Sequence, residues 1–221
     1  MKFDHLESIY RSYDIRGKFP EEINAKEVYK IGRALATIYK AKKMIVGFDY
    51  RPSSEELSDA LMKGFIDQGA NVVNVGMVTT PMLYHASGTI ESEVSVMVSG
   101  SHMPPEFNGL KICVGKSIPI GLETGLDKVR DLVEADDFED SITKGSTSKY
   151  DIKPDWQNHL KSLITLSTKK PLKVVIDPAN MIGILEIDTV KQFQNVEVVT
   201  IYDDYDWNCP NHEANPVKLD T

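Results

Sequence analysis

Hydrophobic positions along the chain switch repeatedly between a helical and an extended spacing. Val28, Ile31, Leu35 and Ile38 fall on one helical stripe, and Asn24 with Glu27 three positions on forms a capping-box pattern ahead of it. Residues 44–48 are a short apolar run of buried-strand type. Ser53 and Glu56 form a second capping pattern before the helical row Leu57, Leu61 and Phe65, with Gly69 as its stop. Strands are predicted at 72–75 and Val94–Val98, separated by a helix that Pro81 opens and that runs through His85. A strand at 110–114 is expected to be reached through the turn-forming pair Asn108-Gly109, and 122–135 reads as one helix. Strands separated by helices predict a layered α/β domain with a mixed, mostly parallel sheet, the Asn-Gly connection marking one antiparallel pair.

Residues 136–148 are acidic, then rich in Lys, Gly, Ser and Thr, as in a linker. A second α/β pattern follows: helix over 156–166, strand at Leu172–Ile176, helix over 181–193 and strand over 196–201. Two strands and two helices are too few for a comfortable core. The expected division is therefore a first domain over 1–147 and an incomplete second α/β domain over 148–221.

Composition changes this picture little. Twenty-five basic residues against 33 acidic ones give a net charge of −8 over 221 residues, which argues against nonspecific binding to nucleic acid or to an acidic membrane surface. The two cysteines, Cys113 and Cys209, lie far apart without CxxC spacing, so neither a zinc site nor a disulfide framework is implied. No apolar run reaches membrane-spanning length and Met1-Lys2-Phe3-Asp4-His5 lacks a signal-peptide core, so a cytoplasmic protein is the default expectation.

Chemistry concentrates in one stretch. The strand at Val94–Val98 runs into Ser99-Gly100-Ser101-His102-Met103-Pro104-Pro105-Glu106-Phe107-Asn108-Gly109-Leu110-Lys111. Gly100 offers unusual backbone dihedrals and close approach to a ligand, and Pro104 and Pro105 stiffen the far side. Ser101 is a candidate covalent carrier, His102 a hydrogen-bonding neighbour, and Lys111 a cation or proton carrier. On spacing alone, a plain polar turn is the simpler reading. The scattered histidines His5, His85, His159 and His212 form no ligand cluster, and Asp203-Asp204-Tyr205-Asp206 reads as a solvated acidic loop.

These residues resemble the α-D-phosphohexomutase family, in its phosphomannomutase/phosphoglucomutase branch. The family's active-site loop reads roughly Thr-Ala-Ser-His-Asn-Pro, then Pro-x-x-Asn-Gly-x-Lys. This chain matches at Ser101, His102, Pro104, Pro105, Asn108, Gly109 and Lys111, and departs at Ser99, Gly100 and Met103. Tyr10-Arg11-Ser12-Tyr13-Asp14-Ile15-Arg16-Gly17 resembles the family's entry segment Phe-Arg-x-Tyr-Asp-Ile-Arg-Gly. By that resemblance Tyr13 and Arg16 line the cleft; the plainer reading of Arg16 is a salt bridge with an acidic neighbour. Gly47-Phe48-Asp49-Tyr50-Arg51-Pro52-Ser53-Ser54 resembles Gly-x-Asp-x-Arg-x-Ser-Ser, with Asp49 and Arg51 read as architectural and Ser53 as a helix cap. The turn from Gly76 to Pro81, Asp177-Pro178-Ala179-Asn180 (with Met181 where the family has glycine) and Asn211-His212-Glu213-Ala214-Asn215-Pro216 match further segments in order.

The resemblance implies a three-layer α-β-α first domain and interconversion of hexose 1-phosphates and 6-phosphates through a phosphoserine at Ser101 and a bisphosphate intermediate. It implies magnesium bound through the Ser101 phosphate, glucose 1,6-bisphosphate or a similar activator, and Arg16 and Lys111 as protein cations, with His102 supporting the phosphoserine. The family's Asp-Gly-Asp-x-Asp-Arg metal loop, its Gly-Glu-x-Ser-Gly-His sugar loop and its Arg-x-Ser-Gly-Thr-Glu phosphate loop do not occur in the 221 residues. The expectation is therefore an N-terminal portion, inactive alone and completed by a C-terminal portion. A noncatalytic remnant that binds sugar phosphate or a partner is the alternative from another class. Phosphoglucosamine mutase is a second enzyme reading, and Tyr13-Asp14-Ile15-Arg16-Gly17 argues against it because that branch reads Gly-Thr-Asp-Gly-Ile-Arg-Gly.

Overall fold

The computed structural model describes residues 9–166 and 170–215. His5 and Pro216, both named above, lie outside them. Two compact units divide at Tyr150/Asp151, three residues beyond the expected 147/148 boundary, because the end of the presumed linker forms a strand in the first unit's sheet.

The first unit is built on strands β1 (Ile15–Lys18), β2 (Lys43–Phe48), β3 (Asn71–Met77), β4 (Val94–Val98), β5 (Phe107–Val114), β6 (Ile118–Pro119) and β7 (Thr147–Lys149). Their order is β1-β5-β4-β2-β3-β7, with β6 on β5. β2 runs parallel to β3 and β4, and β7 parallel to β3; β1, β4 and β6 are antiparallel to β5. The helices are α1 (Ala25–Ile38), α2 (Pro52–Asp67), α3 (Thr80–Thr89) and α4 (Leu126–Ala135).

Alternation along the strands assigns the layers. Met44 and Val46 of β2, Val94, Val96 and Val98 of β4, and Leu110 and Ile112 of β5 join one core with Val28, Ile31 and Leu35 of α1, Leu57, Leu61 and Phe65 of α2, and Val129 of α4. The intervening positions, Ile45, Ser95, Met97 and Cys113, are buried on the opposite face, where Ser95 Oγ donates to Ser87 Oγ of α3 at 2.8 Å. The result is a three-layer sandwich with α1, α2 and α4 on one side and α3 on the other.

Chain direction within this sheet fixes where a site can form. The β2–α2–β3 crossover goes to one side of β2, and α3 brings the chain back to β4 on the other. Loops leaving the carboxyl ends of β2 and β4 thus diverge at a topological switch point, the place where open α/β sheets bind ligands.

Several local expectations change. Asn24 caps α1, its side chain accepting from the Lys26 and Glu27 amides. Ser53 is not a cap: α2 starts at Pro52, the capping residue is Arg51, and Ser53 and Ser54 are buried in the first turn. Asn108-Gly109 is not a turn but lies inside β5. The predicted 122–135 helix is a short 3-10 turn, Leu122–Thr124, then α4, broken at Gly125 (φ 142).

Gly109 decides how closely β1 approaches β5. Arg16 is its partner in the register, and a Cβ there would strike the Ile15 carbonyl oxygen and crowd the Arg16 Cα. On the outer surface, Asp67 ties three segments together. Its carboxylate accepts from Lys144 at 2.7 Å and Tyr29 at 3.0 Å and pairs with Lys63 one turn away.

The second unit contains α5 (Lys153–Leu163), β8 (Leu172–Ile176), α6 (Ile184–Lys191) and β9 (Val196–Thr200), with β8 and β9 parallel. The first of these helices has the predicted length but lies three residues earlier in the chain, and the second is shorter than predicted. At the carboxyl end of β8, Ala179 (φ 51) and Asn180 (φ 60) take the left-handed conformation, and the Met181 amide closes onto the Pro178 carbonyl. The turn thus bends one residue before the position where the family has glycine. Among the described residues no helix is long and apolar enough to cross a membrane.

Two outcomes are predicted. Gly109→Ala lowers the unfolding free energy of the first unit by roughly 1–3 kcal/mol, measured by denaturant titration, because the sheet cannot yield without moving β1. The hydrogen bonds from Lys144 and Lys63 hold the Asp67 carboxyl well below its ordinary value of 3.8. A depressed folded-state value means that its contribution to stability is fully present above the unfolded value and is lost as pH falls through the folded one. The stability gap between the chain and Asp67→Asn, about 1 kcal/mol for such pairs, is therefore constant near neutrality and closes on acidification below about pH 4.

Candidate active site

The residues 99–106 leave the carboxyl end of β4 at the switch point. Ser99 starts the loop by donating its amide to the Gly109 carbonyl at 2.9 Å, and its Oγ accepts the Ser101 amide at 3.0 Å. Ser101 has φ 56, a left-handed conformation that a non-glycine residue adopts only when its surroundings require it. Gly100 has no such φ. Its small size is required instead by Arg51, because a Cβ there would run into the guanidinium.

Arg51 lies underneath. Its Nη1 donates to the carbonyls of Pro104 (2.7 Å) and Phe107 (3.1 Å), and its Nη2 to those of Ser101 (3.0 Å) and Met103 (2.6 Å). The side chain is 2% exposed and faces Asp49 Oδ2 at 3.4 Å from Nε. Asp49 Oδ1 accepts from the Arg51 amide (3.0 Å) and from Ser54 Oγ (2.5 Å). Asn108, fully buried, donates Nδ2 to Ser53 Oγ at 2.8 Å and to Ser54 Oγ at 2.9 Å. The Asn-Gly pair is thus a buried polar anchor between α2 and β5, and Asp49 and Arg51 have the architectural role read from the sequence.

The cations stand on the neighbouring strands. Asp14 ends the turn that leads into β1, its carbonyl accepting the Arg11 amide at 2.8 Å, and Arg16 is paired with Gly109, which lies on the same face of β5 as Lys111. Asp14 joins them: its Oδ2 accepts from Arg16 Nη2 at 2.5 Å and from Lys111 Nζ at 3.3 Å. Asp14 is buried, while the side chains of Arg16 and Lys111 remain 18% and 19% exposed. One carboxylate against two cations leaves a local positive charge. Lys111 Nζ also sits 5.7 Å from the Tyr13 ring centroid, and the ring is 64% exposed.

Sequence candidates therefore fall into two groups at one end of the sheet. Tyr13, Arg16 and Lys111 come together on β1 and β5; Ser101 and the exposed His102 ride on the loop after β4. The groups are linked by register, since Lys111 is opposite Met97 and the loop begins beside Gly109. The salt bridge of Arg16 with an acidic neighbour is real, and it draws Lys111 in as well. Asp14 went unrecognised in the sequence, because the turn over 11–14 and not strand alternation brings its carboxylate to Arg16. Cys113, one step further along β5, is not a competing nucleophile: burial pushes its thiol up to about 11.

No three His, Cys, Asp or Glu side chains converge as a metal site among the described residues. Magnesium takes carboxylate and phosphate oxygens in an octahedral shell, so a phosphate on Ser101 would supply only part of that shell. The carboxylates that would complete it do not occur as a cluster among the described residues.

Comparison with known proteins agrees with the fold. Residues 7–140 match the family model described as phosphoglucomutase/phosphomannomutase, alpha/beta/alpha domain I. A phosphomannomutase of Vibrio cholerae is 33% identical over 218 residues, covering 94% of this chain and 47% of that protein. A phosphomannomutase/phosphoglucomutase of Pseudomonas aeruginosa is 35% identical over 215 residues, covering 96% and 45%. The solved structure of a phosphoglucomutase/phosphomannomutase family protein from Burkholderia thailandensis superposes with a TM-score of 0.81 at 30% identity, covering 94% of this chain and 46% of that one. The chain spans about half the length of the curated relatives it matches. With that match to the family model and these relatives, the chain belongs to the phosphoglucomutase/phosphomannomutase family.

Proposed function

We propose that this chain is the phosphoserine-bearing half of a hexose-phosphate mutase, with Ser101 as the carrier and Arg16, Lys111 and Tyr13 as the groups that receive substrate. The observation that carries the reading is the left-handed Ser101, held on a clamped loop at the switch point beside a strand pair with excess positive charge. Phosphoryl transfer asks a protein mainly for positioning and for cations near the equatorial oxygens.

In the proposed half-reaction the Ser101 Oγ–P bond breaks as a bond forms between phosphorus and the free hydroxyl oxygen of a hexose monophosphate. The hydroxyl proton passes through Lys111 to Ser101 Oγ. The resulting bisphosphate reverses the step with its other phosphoryl group, and Ser101 Oγ returns its proton by the same route. His102, on the exposed side of the loop, supports the phosphoserine oxygens. Glucose 1,6-bisphosphate is the expected priming donor. Metal carboxylates and sugar-reading groups are assigned to a complementary C-terminal portion. The buried Cys113 thiol, outside any disulfide, suits a cytoplasmic setting.

A noncatalytic sugar-phosphate-binding remnant is the second reading, favoured by the lack of a metal cluster among the described residues. One measurement separates the two. Prolonged incubation with glucose 1,6-bisphosphate followed by intact-mass and peptide mapping is expected to give a phosphoryl adduct at Ser101 that Ser101→Ala abolishes. A folded chain that stays unmodified favours the remnant. Lys111→Met is expected to slow adduct formation by about 100-fold with unchanged thermal stability, as for loss of one preorganised cation; an unchanged rate removes Lys111 from the site.

A further inference from the structure

We propose that Arg51 is a positioning residue that sets the conformation of the serine loop from below, so that its side chain, together with the Ser99 hydroxyl, determines where Ser101 stands. This rests on the reading of Ser101 as the carrier for its functional meaning, but not for its geometry.

Arg51 follows β2 and precedes Pro52, which disfavours a helical conformation in the residue before it. Arg51 is accordingly extended (φ −65, ψ 143) and caps α2. Its amide is fixed by Asp49 Oδ1, so the base of the side chain is anchored in the Asp49–Ser54–Asn108 network. From this anchor the two terminal nitrogens reach four carbonyls spread from Ser101 to Phe107. A planar guanidinium with several donors in a fixed fork can organise such a set; an ammonium, with one nitrogen, cannot. Turning the Ser101 carbonyl down to this fork accompanies the residue's positive φ.

One departure from the family's loop pattern then has a physical account. Recognition is of main-chain oxygens, so Met103 substitutes for asparagine while its carbonyl remains held at 2.6 Å. Gly100 leaves the space that the guanidinium occupies. Both terminal nitrogens point at loop carbonyls, so Arg51 acts on a phosphoryl group only through the loop.

The test is amide hydrogen exchange on the full chain, comparing wild type with Arg51→Lys and Arg51→Gln. Expected is an increase of about 10-fold or more at the Ser101, Met103 and Phe107 amides in both variants, with Val96 and Ile112 in β4 and β5 unchanged, since exchange reports local opening. Failure of Lys to restore protection distinguishes the fork from the charge. Loop exchange equal to wild type in a folded variant overturns the proposal, as does uniform acceleration through β4 and β5. If neither variant folds, Gly100→Ala decides by pressing on the guanidinium from the other side: a loosened loop with protected strands supports the clamp, and an unchanged loop overturns it. No phosphoryl donor enters the measurement, so an unmodified Ser101 and an unclamped loop are separate results.

Discussion

A guanidinium removed from water has to meet its donors locally, and the two terminal nitrogens of Arg51 meet the backbone of the loop above them while Nε faces Asp49. That requirement shapes the neighbourhood. Asp49 balances the charge and anchors the main chain, Ser54 donates to Asp49 and Asn108 to Ser54, and Gly100 leaves room. The loop consequently arrives at the switch point with Ser101 in a conformation that its own side chain does not favour. Strain of this kind persists where surrounding structure over-determines it.

The cation pair obeys a parallel rule. Arg16 and Lys111 repel each other, and the buried carboxylate of Asp14 between them makes their proximity tolerable. Because one carboxylate serves two cations, charge remains for an anion, and both cations keep partial exposure. The close β1–β5 approach that Gly109 allows is what lets residues of two strands share one carboxylate.

Much of this was legible in the sequence, where local rules suffice. The strands at Val94–Val98 and Leu172–Ile176 and the Asn24 cap follow from periodicity and capping chemistry, and the α/β alternation fixed the layering. The failures came where tertiary contacts override local preference. Ser53 resembles a cap, yet Pro52 starts the helix and Asn108 recruits the hydroxyl. Asn108-Gly109 has the composition of a turn, yet Asn108 is a buried anchor and Gly109 an interstrand contact. Asp14 and the four-carbonyl reach of Arg51 depend on pairings between segments far apart in the chain, which periodicity does not encode.

That the loop serine and the strand cations form one site is open to direct measurement. With phosphoserine installed at position 101, phosphorus NMR across pH follows the second ionisation of the phosphate, which lies near 6 for a free group. Nearby cations favour the dianion, so the midpoint is predicted below that of free phosphoserine and to move back toward it in Lys111→Met. A midpoint equal to that of free phosphoserine, in a chain whose loop amides remain protected, would contradict the account.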